Sequence, residues 1–126
     1  MAALARGLVG LVGLFMLFMG VRFLISPAEM GAQFFLAPQG AQGLASIRAD
    51  FTGFFLGVGA FALYGAWKER RDALVIPLFL LTVAILGRIV GIIADGITPT
   101  TFAPMIAEAI MIAIVAFGYK VLRKAA

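Results

Sequence analysis

Residues 73–97 read ALVIPLFLLTVAILGRIVGIIADGI, and within them only Arg88 and Asp95 carry charge. About 20 apolar residues at 1.5 Å rise cross the ~30 Å hydrocarbon core of a bilayer. The run is too long for one strand. In lipid a helix satisfies every backbone N–H and C=O within itself, which an open strand cannot do. The stretch therefore reads as a transmembrane helix. Three further runs match it, at Leu4–Ile25, Leu44–Trp67 and Phe102–Leu122. The links between them are short, which favours antiparallel neighbours. The predicted fold is all-α: an integral membrane four-helix bundle, with residues 1–126 forming a single four-span domain.

Composition agrees with that reading. The chain has 126 residues, 63% of them hydrophobic and only 13% charged. A soluble globule of this size has too little interior to hide that much apolar side chain. There is no Cys and no His. Thiol chemistry, Fe–S clusters, ordinary haem ligation and serine–histidine or cysteine–histidine catalysis are thereby excluded. Nearly every zinc or copper site is excluded with them. A carboxylate metal site is disfavoured because arginines interleave with the acids. Met16, Met19, Met105 and Met111 read as flexible packing rather than soft-metal ligands. The sequence thus calls for no catalytic residue, no metal and no cofactor. The net charge of +4 does not point to nucleic acid, because the basic residues sit at the ends of apolar runs.

Local signals mark the boundaries. Ser26-Pro27-Ala28-Glu29 has the form of a capping box with proline at the first helical position. It predicts a short interfacial helix in the first outer loop, carrying Met30, Phe34 and Phe35 and ended near Pro38. Asp72 is placed to cap the third span, Gly96 to close it in the left-handed conformation, and Thr100 or Thr101 to cap the fourth. Pro77 is expected to bend the third span slightly. The N-terminal run reads as a span rather than a signal peptide, since Arg22 interrupts its end and no small-x-small cleavage site follows.

Lysine and arginine set the orientation. Arg6, the link Lys68-Glu69-Arg70-Arg71-Asp72, and the C-terminal Lys120, Arg123 and Lys124 all fall on one side of a four-span protein. The positive-inside rule makes that side cytoplasmic, with both termini there. Tyr64, Trp67 and Tyr119 then lie at the cytoplasmic interface. The expected location is the bacterial inner (cytoplasmic) membrane, with the bilayer as the first partner.

Six ionisable residues remain inside the bundle, in what this topology makes its outer half: Arg22, Arg48, Asp50, Arg88, Asp95 and Glu108. Arg88 lies about 10 Å along its helix from Asp95, and Glu108 about 9 Å from Phe102. A deeper layer of Asp50, Arg88 and Glu108 is expected, with Arg22, Arg48 and Asp95 shallower. An unpaired charge in hydrocarbon costs at least ~2.5–3.5 kcal/mol, so these side chains should point inward and pair between helices. Arg48 and Asp50, two apart, cannot pair with each other. The set supports two readings: a structural clamp fixing which helix packs where, or a polar pocket open to the outer side. Gly53-x-x-x-Gly57 and Gly87-x-x-x-Gly91 match the small-xxx-small pattern for close helix approach, within the bundle or in a homodimer. Gly91, beside Arg88, could also open room for a ligand. Phe15, Phe18, Phe51, Phe54, Phe55, Phe61 and Phe79 read as core or lipid-facing packing.

The segments Arg48-Ala49-Asp50-Phe51-Thr52-Gly53 and Gly87-Arg88-Ile89-Val90-Gly91, with Asp95-Gly96, carry a resemblance. The chain resembles an uncharacterised bacterial domain-of-unknown-function family of small four-span membrane proteins, and in broad appearance it is similar to DoxX-like membrane proteins. The resemblance implies a fold and, through DoxX-like proteins, a loose association with redox and quinone complexes. It implies no catalytic residue. The functional expectation is a small polar or amphiphilic ligand, or a lipid headgroup, held in the charged pocket. Arg48 and Arg88 would face its anionic group while Asp50 and Glu108 orient them. The alternative is an accessory subunit of a larger membrane complex.

Overall fold

The structure, a computed structural model, describes residues 1–122. Five α-helices run through them: α1 (Ala2–Ile25), α2 (Pro27–Gln33), α3 (Gly40–Lys68), α4 (Val75–Asp95) and α5 (Phe102–Val121). A 3₁₀ turn, Arg71–Leu74, leads into α4. All described residues outside these elements are turns or irregular links, with no strand among them. α1, α3, the 3₁₀ turn continued by α4, and α5 are each long and apolar enough to cross a membrane.

The outer surface fits that setting. Leu11, Leu14, Phe18, Phe79, Val90, Ile93, Ile106 and Ile110 are all exposed. A continuous apolar exterior of this kind is costly in water and ordinary in lipid.

α1 and α3 form the tightest seam. A Cβ added at Gly59 would sit 2.7 Å from the Leu17 backbone nitrogen and 2.9 Å from the Gly13 carbonyl oxygen. At Gly13 it would sit 2.9 Å from the Leu63 nitrogen. The two backbones touch because neither residue has a side chain. Thr52, Phe55, Val58, Gly59, Ala62, Gly65 and Ala66 are the buried face of α3, at helical spacing. Val9, Val12, Met16 and Phe23 answer from α1.

This corrects the expectation for the other glycines. A Cβ at Gly53, Gly87 or Gly91 would meet nothing within 4 Å, and at Gly57 only Leu80 at 4.0 Å. Gly53 and Gly57 lie one step round α3 from its buried face, so the right spacing falls on the wrong side of the helix. Close packing inside the bundle instead uses Gly13, Gly20, Gly59, Gly65 and Gly118.

Several boundaries also differ. α3 begins at Gly40, because the tight loop at Pro38 packs against Gly43 and lets the helix start early. Ser26 and Thr101 stand at helix starts without a side-chain cap bond, so the capping box does not form. The Thr101 hydroxyl accepts from the Thr98 N–H at 2.7 Å instead. Asp72 lies inside the 3₁₀ turn and binds Arg70 at 2.8 Å rather than capping α4. Pro77 is the third residue of α4, where its missing N–H leaves no hydrogen bond broken. Gly96 has φ +90° and ψ −174°: positive φ that favours glycine, but extended rather than left-handed helical.

The basic segments share one end of the bundle. Arg6 Nε donates to the Ala66 carbonyl at 2.9 Å, tying the start of α1 to the last turn of α3. The Arg71 guanidinium stacks 4.5 Å from the centre of the Tyr119 ring. Arg123 and Lys124 lie outside the described residues.

Candidate functional site

The opposite end is open. A cavity of about 300 Å³ lies there, enclosed by one face of each long helix. α5 supplies Pro104, Ala107, Glu108 and Met111, spaced so that all four fall on one side. α4 supplies Leu81, Ala84 and Arg88 in the same way, and α3 supplies Asp50, Phe51, Phe54 and Phe55. Phe15 and Met16 line it from α1, and Phe34 from the end of α2.

The aromatic wall is braced from behind. The Phe23 ring, fully buried, stacks on Phe51 at 5.1 Å and on Phe55 at 5.2 Å between centroids. Phe54 meets Phe55 edge-on at 5.2 Å. Offset and edge-to-face arrangements of this kind are favourable beyond the area they bury.

One ion pair borders the cavity between α4 and α5. Arg88 Nε on α4 donates to Glu108 Oε1 on α5 at 2.7 Å. The Glu108 side chain is 10% exposed and that of Arg88 33%, so the carboxylate is the buried partner and the guanidinium reaches outward. Only Nε is engaged; neither Nη group of Arg88 hydrogen-bonds to protein among the described residues. A second space of about 430 Å³ adjoins the first through Phe34, Arg88 and Pro104. Gln33, Gly91, Gly96, Thr100 and Thr101 line it, so Arg88 stands between an aromatic cavity and a more polar outer cleft.

The structure brings Asp50, Arg88 and Glu108 to one cavity and leaves the other three expected site residues elsewhere. Asp50 is exposed as well as cavity-lining. It forms no salt bridge or hydrogen bond through its side chain among the described residues, which corrects the expectation that each carboxylate pairs between helices. Arg48 points away from the cavity and donates from Nε to the Leu24 carbonyl at 3.0 Å, binding an end carbonyl of α1 rather than an acid. Arg22 is half-buried, 5.9 Å from the centre of the Phe18 ring one turn back. Asp95 is exposed at the end of α4, without an ion pair among the described residues. Residues two positions apart project to opposite sides of a helix, which is why Arg48 and Asp50 part company.

The cavity walls were not identified from the sequence. Phe15, Phe51, Phe54 and Phe55 read there as packing. The readable signal was Asp50 and Phe54, four apart and hence on one face. Nothing in the sequence indicates that Phe34, at the end of α2, joins the cavity wall. No group of three or more metal-ligating side chains occurs among the described residues.

A family model described as a domain of unknown function, DUF4345, matches residues 4–119. No curated protein and no solved structure matches the chain.

Proposed function

The chain belongs to the DUF4345 family, whose description assigns no activity, and from its own geometry we propose that it is a multi-pass protein of the bacterial inner membrane that holds a small amphiphilic molecule in the cavity between its long helices. The observation that carries this reading is the cavity itself. It is largely apolar, about 300 Å³, and has three ionisable side chains, Asp50, Arg88 and Glu108, in its lining. Concave apolar sites with a few convergent polar groups are where small ligands bind. The ligand's apolar body would lie among the phenylalanines and its polar part at the charged rim.

The orientation belongs to the same proposal. Arg6, Lys68, Arg70, Arg71 and Lys120 concentrate at one end, which supports placing that end in the cytoplasm. The cavity then faces the outer side.

The test is native mass spectrometry of the protein released from native membrane, beside Ala84→Trp, which fills the cavity from α4. A discrete small-molecule adduct on the wild type, absent from the variant, is the expected result. An adduct held equally by both, or none on either, ends this reading.

A second reading has one observation in its favour. Gly53, Gly87 and Gly91 face open space on α3 and α4, and small-residue surfaces of this kind suit approach of another helix. The chain would then be an accessory subunit, with Arg88 and Glu108 clamping α4 to α5. A larger protein partner retained by both wild type and Ala84→Trp, with no small adduct, would favour it.

A further inference from the structure

This inference rests on the ligand-binding reading and concerns the charge of what binds. Asp50, Arg88 and Glu108 are the ionisable groups of the cavity. Arg88 and Glu108 meet at 2.7 Å and are neutral as a unit. Asp50 is left over, the one carboxylate of the lining without an ion-pair partner among the described residues. Neither nearby base pairs with it: Arg48 donates to the Leu24 carbonyl and Arg22 lies near Phe18.

An anionic ligand would meet the unpaired Asp50 carboxylate and an arginine whose charge Glu108 already balances, although the Nη groups of Arg88 carry no hydrogen bond to protein among the described residues. A neutral one would leave a carboxylate without a counter-charge beside apolar walls, where Coulomb terms are poorly screened. A cation satisfies both features. Phe34, Phe51, Phe54 and Phe55 crowd the same space, and Phe54 shares Asp50's face of α3. The faces of aromatic rings attract cations, and phenyl walls with a carboxylate counter-ion suit an organic ammonium. Because Asp50 is exposed as well as cavity-lining, such a ligand reaches it without the bundle coming apart.

We propose that the cavity binds an organic monocation, a tertiary or quaternary ammonium on an apolar body, with Asp50 as its counter-ion. The expected recognition is the reverse of that read from the arginines alone. Arg88 and Glu108 form part of the wall and join α4 to α5. The ammonium belongs either to a free organic cation or to the headgroup of a zwitterionic lipid.

The experiment is isothermal titration calorimetry of the intact protein in uncharged dodecyl maltoside. The probes are benzyltrimethylammonium, its uncharged carbon isostere neopentylbenzene, and phenylacetate. The cation is expected to bind about tenfold more tightly than either of the others. Asp50→Asn should remove that preference, and Asp95→Asn, which changes an acid outside the cavity, should keep it. If short-chain phosphatidylcholine displaces the cation, the headgroup is the source; if it does not, the free cation is. Equal binding of the cation and its isostere, or preference for phenylacetate, overturns the inference while leaving a ligand-binding cavity in place. Binding of none of the three overturns the cavity reading as well. Should Asp50→Asn fail to fold, the three probes on wild type still decide the charge class.

Discussion

Between α1 and α3 two backbones touch, whereas between α4 and α5 two charged side chains span the gap at the open end. The first seam is made of residues with almost nothing to contribute except their absence of bulk, Gly13 and Gly59 above all. The second contains a carboxylate and a guanidinium, and it borders a void of about 300 Å³ that the other helices also line. In lipid, helices gain little by hiding apolar surface from one another, so association depends on close van der Waals contact and on polar links. The α1–α3 seam uses the first means and the α4–α5 seam the second. One half is built to be filled by its own atoms, and the other leaves room for atoms from elsewhere.

The comparison is broken most directly at Gly59. Gly59→Ala places a methyl 2.7 Å from the Leu17 backbone nitrogen, where nothing flexible can yield. A loss of about 1–3 kcal/mol is expected, read by chemical unfolding in mixed micelles. A silent Gly59→Ala would mean the seam is not tight.

Next in size is Glu108→Gln, which keeps an acceptor oxygen but leaves the Arg88 charge without its counter-ion. Because the Arg88 side chain remains 33% exposed, the expected loss is about 1–2 kcal/mol rather than the larger figure for a fully buried pair. Thermal unfolding should also show the double variant Arg88→Met with Glu108→Leu recovering most of that loss, since apolar replacement of both partners is often tolerated.

Smaller, and opposite in sign, is Gly87→Ala. Nothing lies within 4 Å of the added methyl, so helix propensity alone acts, with a gain of up to about 1 kcal/mol in the same assay. Smallest is Asp95→Asn, expected within about 0.5 kcal/mol of wild type because Asp95 is exposed and has no ion pair among the described residues. A large effect there would show that the outer charges act together and that the division between the halves is drawn in the wrong place.

The span pattern was legible because it depends on composition and length. Residues 73–97 can be only one thing in a bilayer, and the three companion runs follow from the same arithmetic. Which side of each helix does the work was not legible. Gly53 and Gly57 have the same four-residue spacing as any close-packing pair, and only the rotational setting of α3 against α1 shows that Gly59 is the contact instead. The charges divide in the same way. Arg88 and Glu108 lie at comparable depth on adjacent spans, and depth is readable from helix rise. That Arg48 would satisfy a carbonyl at the end of α1 depends on where that helix stops, and helix ends are the least determinate part of such a sequence. The cavity was least legible of all, since a void arises from five elements at once and no single stretch records it.

α3 has 29 residues and α5 has 20. At 1.5 Å per residue their lengths are about 44 Å and 30 Å, so α5 matches the ~30 Å hydrocarbon layer and α3 exceeds it. The surplus lies at the start of α3, where Gln42, Ser46, Arg48 and Asp50 make the helix polar, so it extends past the apolar length that a bilayer must match. Asp50, Phe51, Phe54 and Phe55 ride on α3, while Arg88 and Glu108 ride on the helices that fit. The surplus thus carries the α3 edge of the opening toward the headgroup layer, so polar headgroups rather than lipid tails border the site on that side.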